Sequence, residues 1–113
     1  PVQLDAAKSI GAPVVELHTG AYCLLEGSAR AMELDRIRKA AKHAARIGLE
    51  CHAGHGLTFD TVGPIAEIPE IVELNIGHFL IGEAIFGGLD SAVRRMRSLM
   101  DKARADSAGE RSA

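Results

Sequence analysis

Apolar and polar positions change period several times along the chain. Val2 to Ile10 is short and amphipathic, and Gly11 with Pro13 supplies a stop. Val14 to His18 alternates apolar and polar residues, the period of a strand. Thr19 to Leu25 reads as a loop. From about Ser28 to Ile47, the apolar positions Met32, Ile37, Ala41, Ala44 and Ile47 fall near helical spacing, and Gly48 closes that helix. Leu49 to Ala53 is the second predicted strand, followed by the loop Gly54-His55-Gly56. Thr58 to Ile68 predicts a shorter helix or helical turn, in which Pro64 fits only a first turn or a break. Val72 to Ile76 is the third strand, and Gly77-His78 ends it. Phe79 to Phe86 predicts a short helix that Gly87-Gly88 breaks. Leu89 to Arg104 predicts a last amphipathic helix with Val93, Met96, Leu99 and Met100 on one side. The small, polar stretch Asp106 to Ala113 is expected to fray.

Strands joined through helices are parallel, with right-handed crossovers expected. That order fits a doubly wound sheet or a segment of a (β/α)₈ barrel, and the strand faces decide between them. Strands sandwiched between helix layers read as continuous apolar runs. Here Val15 and Leu17, Leu49 and Cys51, and Val72 and Leu74 form an apolar face, while Glu16 and His18, Glu50 and His52, and Glu73 and Asn75 form a polar one. A barrel interior beside an active site accommodates the polar face. The expected fold class is therefore α/β, half of a TIM barrel with three parallel strands. A partial barrel domain over residues 1–105 and a flexible tail over 106–113 are expected. Three parallel strands leave two unpaired edges, so packing against another copy or a missing complementary half is expected.

Composition changes this picture little. The chain has 113 residues, 47% of them hydrophobic and 25% charged, which suits one globular domain. The net charge of -2 leaves no bulk nucleic-acid footprint. No apolar run approaches a membrane span of about 20 residues, and no signal peptide is expected. Cys23 and Cys51 demand no disulfide framework and suit a reducing compartment, so a cytoplasmic address is expected. The chain starts at Pro1 with what reads as the end of a helix, and is expected to be a piece of something longer, the alternative being removal of an initiator before Pro1.

The polar faces carry the candidate chemistry. Glu16-Leu17-His18-Thr19-Gly20, Glu50-Cys51-His52-Ala53-Gly54 and Glu73-Leu74-Asn75-Ile76-Gly77 share one form, and the last two place His55 and His78 directly after the glycine. Glu16 is either a charge stabiliser or acid/base group, with His18 as a partner on its face, or one half of an ion pair inside a barrel. His55, between two glycines at a strand's carboxyl end, stands where α/β enzymes place their chemistry and can act as an acid or base near neutral pH. The bland alternative is an exposed loop histidine. Gly77-His78 opens a helix, so its backbone N–H groups can form an anion site. Metal binding by His18, His52 and His55 is a rival reading. Cys51 and His52 point to opposite faces of their strand and cannot jointly clamp one ion. Arg36, Arg38, Lys39 and Lys42 read as a solvated face with Glu33 and Asp35, His43 as surface, and Met96 and Met100 as core.

Three motifs in order also resemble a known family. These are Gly11-Ala-Pro-Val-Val-Glu16-Leu-His-Thr-Gly20, Ala53-Gly-His-Gly-Leu-Thr58 and Ile68-Pro-Glu-Ile-Val-Glu-Leu-Asn-Ile-Gly-His-Phe-Leu-Ile-Gly82. Over about Ala6 to Arg104 the chain resembles the carboxyl-terminal half of pyridoxine 5′-phosphate synthase, from the deoxyxylulose-dependent vitamin B6 pathway. The resemblance implies a TIM barrel with extra helices in a homo-oligomer, an octamer in the family. It implies condensation of 3-amino-2-oxopropyl phosphate with 1-deoxy-D-xylulose 5-phosphate to pyridoxine 5′-phosphate, inorganic phosphate and water, with no metal or organic cofactor. It implies a transition-state-stabilising role for Glu16, proton donation by His55, and binding of the aminooxopropyl phosphate by Gly56, Gly77 and His78. The sequence departs at His52, where the family commonly has Asn. The family's remaining catalytic histidine and glutamate belong to strands that do not occur in this chain, so the chain by itself is expected to be inactive. The alternatives are a non-catalytic phosphate-binding or assembly module built from half barrels, and a fragment of a metal-dependent hydrolase.

Overall fold

The computed structural model describes the backbone of residues 2–112 and side chains as far as residue 108. Three strands, β1 (Val14–His18), β2 (Glu50–Gly54) and β3 (Ile71–Asn75), form one parallel sheet in the order β1-β2-β3. The helices are α1 (Val2–Ser9), α2 (Gly20–Leu24), α3 (Gly27–Arg46), α4 (Val62–Ala66), α5 (His78–Gly87) and α6 (Leu89–Ser112). Both β1 and β3 are edge strands among the described residues.

The core lies on one side of the sheet. Cys51 and Ala53 of β2, Ile71 of β3 and Ile37, Ala41 and Ala44 of α3 are buried together with Leu4, Leu49, Leu57, Ile65 and Ile68. Val15, Leu17 and Leu74 pack against them partly buried. Strand β1 alternates as expected, with Glu16 and His18 exposed and Val15 and Leu17 half-buried. Strand β3 departs from its expected face. The ladder pairs Cys51 with Ile71 but His52 with Glu73, so Val72 is an extra residue at a bulge. The bulge turns Ile71 inward at 3% exposure and leaves Val72 outside at 60%. Ile71, not Val72, therefore belongs to the apolar face.

Helix α3 ends as the sequence suggests. Gly48 takes φ +85, and the N–H groups of Gly48 and Leu49 donate to the Ala45 and Ala44 carbonyls, closing orphan carbonyls of the last turn. In α4, Pro64 is the third helical residue, where no intrahelical donor is needed.

Other boundaries are corrected. Residues 20–24 form a helical turn where the sequence suggests a loop. Five residues are too few for periodicity to register, and tertiary contacts hold the turn. Tyr22 is buried and its hydroxyl donates to the Thr61 carbonyl at 2.9 Å, while Arg30 donates to the carbonyls of Leu25 and Cys23 at 2.7 and 3.3 Å. The buried stripe of α6 is Ala92, Met96 and Ala103, and Val93 lies outside it. Helix α6 also runs on through the stretch expected to fray, and Ser107 donates to the Glu67 carbonyl at 2.9 Å. Ala113 of that stretch lies outside the described residues. His43, read as surface, ties α3 to α1 through Asp5 at 2.6 Å and is mostly covered.

Candidate active site

The polar face of the sheet and the loops at its carboxyl end enclose an open cleft of about 760 Å³. Glu16, His55, Gly56, Gly77 and His78 all line it, together with His18. Residues from three separate βα units thus meet in one place.

Glu16 reaches this cleft because Gly54, on the neighbouring strand, has no side chain. A Cβ on Gly54 would overlap the Glu16 Oε1 atom and lie 2.7 Å from the Asn75 carbonyl oxygen. The glutamate therefore occupies volume that any other residue at position 54 would claim.

His55 is held in an uncommon backbone conformation. Its φ is 90°, the only positive value at a non-glycine among the described residues. Such a conformation costs about 1–3 kcal/mol and persists only where the surroundings over-determine it. The constraint comes from Thr19, which is fully buried and donates its hydroxyl to the His55 carbonyl at 2.7 Å. The Thr19 N–H donates to the Gly54 carbonyl at 2.8 Å, extending the β1–β2 ladder to the base of the loop. The far end of the loop is fixed as well. Thr61 accepts from the Thr58 N–H at 2.8 Å, and the Thr61 carbonyl accepts from Tyr22.

His18 presents its ring to His55, with centroids 4.3 Å apart and planes 25° from parallel. Its Nδ1 accepts the Gly20 N–H at 3.2 Å, which assigns the hydrogen of the neutral ring to Nε2. A Cβ on Gly20 would lie 2.6 Å from His18 Cε1 and 3.0 Å from His55 Cδ2, so this glycine too makes room.

His52 faces the same side but is engaged elsewhere. Its Nε2 lies 2.6 Å from a Glu50 carboxylate oxygen and its Nδ1 lies 3.0 Å from one of Glu73. Glu50 and Glu73 are thus the clamp of His52. Among the described residues no three His, Cys, Asp or Glu side chains are arranged to hold a metal ion. The Cys51 thiol lies on the opposite, core side, where burial, assisted by the charge of Glu70, pushes it up to about 11. It is a core thiol and not a nucleophile.

Gly77 precedes the first turn of α5, with His78 as the first helical residue, and no side chain caps that end. The leading N–H groups of α5 open beside the cleft, where the helix end favours an anion. The lining residues include the imidazoles of His18, His55 and His78 and no Lys or Arg.

The sequence patterns mark Gly20 and Gly54 only as the closing glycines of the repeat, not as the space that Glu16 and the two rings need, and they do not mark Thr19 or Thr61 as supports. The signal for Thr19-Gly20 and Gly54 lies in the repeated strand endings, where a small residue recurs at each strand's mouth. Thr61 has no such signal, because its partners are 3 and 39 residues away.

Comparison with known proteins agrees with the resemblance carried by the three motifs. Residues 1–102 match the family described as "Pyridoxal phosphate biosynthesis protein PdxJ". A pyridoxine 5′-phosphate synthase of Rhodospirillum rubrum is 68% identical over 102 residues, covering 89% of this chain and 41% of the relative. Those of Roseobacter denitrificans and Zymomonas mobilis are 62% and 59% identical, covering 91% and 92% of this chain and 43% and 41% of the relatives. The chain thus spans about two fifths of the length of the curated relatives it matches.

Proposed function

The chain belongs to the PdxJ family of pyridoxal phosphate biosynthesis proteins, and on that premise we propose that its cleft is the carboxyl-terminal share of a pyridoxine 5′-phosphate synthase active site. The observation that carries this reading is the convergence of Glu16, His55, Gly56, Gly77 and His78 on one cleft. The reaction is the ring-closing condensation of 3-amino-2-oxopropyl phosphate with 1-deoxy-D-xylulose 5-phosphate, a C–N bond-forming transfer.

The chemistry follows from the placement of each group. An amine attacking a carbonyl passes through species with positive charge near nitrogen, and the fixed carboxylate of Glu16 stabilises such charge without reorganising. Loss of water from an adduct needs a proton on the departing hydroxyl, and the His55 imidazole is the acid that supplies it. The phosphate of the aminooxopropyl substrate sits against the N–H groups of Gly56 and of Gly77 and His78 at the start of α5.

The three-stranded sheet belongs to the carboxyl-terminal half of a (β/α)₈ barrel. Its exposed acidic and imidazole face and its two open edges support that architecture. Assembly with further copies is supported by α5 and the start of α6, where Ile81, Ile85, Phe86, Leu89 and Val93 are exposed. No helix among the described residues is long and apolar enough to cross a membrane, and both cysteines are free thiols. A cytoplasmic address is the reading that membership of a biosynthetic enzyme family supports.

A graft tests the assignment. Residues 1–102 replace the matching segment of the Rhodospirillum rubrum relative, and product is followed by its ultraviolet absorbance. The graft is expected to form pyridoxine 5′-phosphate, and the 113-residue chain alone is expected to form none. A folded graft that forms none rejects the assignment.

A further inference from the structure

An acid catalyst must have its ring fixed as well as its backbone, because a misplacement of about 1 Å can cost about 10²-fold in rate. At His55 the two tasks fall to different residues. Thr19 holds the carbonyl, which fixes the main chain but leaves the side-chain torsions free. The ring meets His18, stacked at 4.3 Å with planes 25° apart. His18 is itself prevented from turning by the hydrogen bond from the Gly20 N–H to its Nδ1. The stack fits only because Gly20 has no Cβ, which would lie 2.6 and 3.0 Å from the two rings. His55 sits between two glycines, whose backbones give its ring no wall of their own.

Resting on the reading of His55 as the proton donor, we propose that His18 is a positioning residue that holds the His55 imidazole in its working orientation through ring stacking. His18 acts through His55 and transfers no proton itself.

The test has one arm in the 113-residue chain and one in the graft. In the chain with isotope-labelled histidine, side-chain couplings and ring-to-ring Overhauser effects report the orientation of His55. His18→Ala is expected to leave the His55 ring averaging over rotamers, and His18→Phe, which keeps a flat face, to restore a single rotamer. His18→Asn retains an acceptor for Gly20 but no ring face, and is expected to behave as His18→Ala. A single unchanged His55 rotamer in His18→Ala overturns the proposal. If that variant does not fold, the same rotamer in His18→Phe and His18→Asn overturns it.

In the graft, His18→Ala is expected to lower kcat by up to about 10²-fold with KM for both phosphorylated substrates little changed. A raised KM with unchanged kcat contradicts positioning. If the unsubstituted graft is inactive, the catalytic reading falls, and the rotamer measurement alone decides whether His18 orders His55.

Discussion

Replacing Gly54 by Ala perturbs the fold and the site at a single point. The new methyl would lie 2.7 Å from the Asn75 carbonyl oxygen and 3.0 Å from its Cβ, and would overlap the Glu16 carboxylate. Ordinary carbon contacts lie near 3.5 Å, so β2 and β3 must separate by roughly 0.5–1 Å. The Asn75 atoms are backbone and Cβ, and neither can swing aside. Over-packing of this kind costs about 1–3 kcal/mol. With a urea slope of about 1–3 kcal/mol per molar for a small protein, the unfolding midpoint should fall by roughly 1 M. Glu16 can escape only by turning its carboxylate out of place, so a Gly54→Ala graft should also lose about 10²-fold in kcat. The control is Gly63→Ala in α4, where an added Cβ meets nothing within 4 Å. There the loss of backbone freedom in the unfolded chain should stabilise by about 0.4–1 kcal/mol. Urea unfolding followed by circular dichroism measures both. A Gly54→Ala chain within about 0.5 kcal/mol of the parent would refute the argument that this position is kept empty for Glu16.

Further outcomes are expected for the His55 loop, the two thiols and the anion site. Thr19→Val removes the donor to the His55 carbonyl and should destabilise by about 1–3 kcal/mol in the same assay. Thiol labelling of the native chain should modify Cys23 and spare buried Cys51. Because the Cys51 thiol is raised to about 11 when folded, its contribution to stability is complete below the unfolded value near 8.5, falls as pH rises toward 11, and should be lost from a Cys51→Ala series over that window. Titrating dihydroxyacetone phosphate into the labelled chain should shift the amides of Gly56, Gly77 and His78, and unphosphorylated dihydroxyacetone should not; equal shifts from both would remove the anion site.

Alternation alone marked β1 from Val14 to His18 and its polar face, because a strand with one covered face has period two. The same rule misplaced Val72, because a bulge breaks the period and nothing local in Ile71-Val72 announces it. The five candidate residues that line the cleft were legible because Glu16 lies on the polar face of β1 and the other four fall at the mouths of β2 and β3, where histidines and glycines come together in sequence. Their supports were less so. Thr19 serves a carbonyl 36 residues away and Tyr22 one 39 away. His52 reads as one more strand histidine until the sheet places Glu50 and Glu73 on its two nitrogens. Pairings of that kind depend on register and loop path, which a residue pattern does not carry.

We propose that the cleft contributes an acid and a charge stabiliser to pyridoxine 5′-phosphate formation. Steady-state turnover of the graft carrying His55→Asn tests it most directly. A positioned general acid is worth about 10²–10⁴-fold in rate, so kcat should fall by that factor while the variant stays folded and binds the phosphorylated substrates. Turnover equal to that of the unsubstituted graft would contradict the account and leave the cleft a phosphate-binding module without a catalytic histidine.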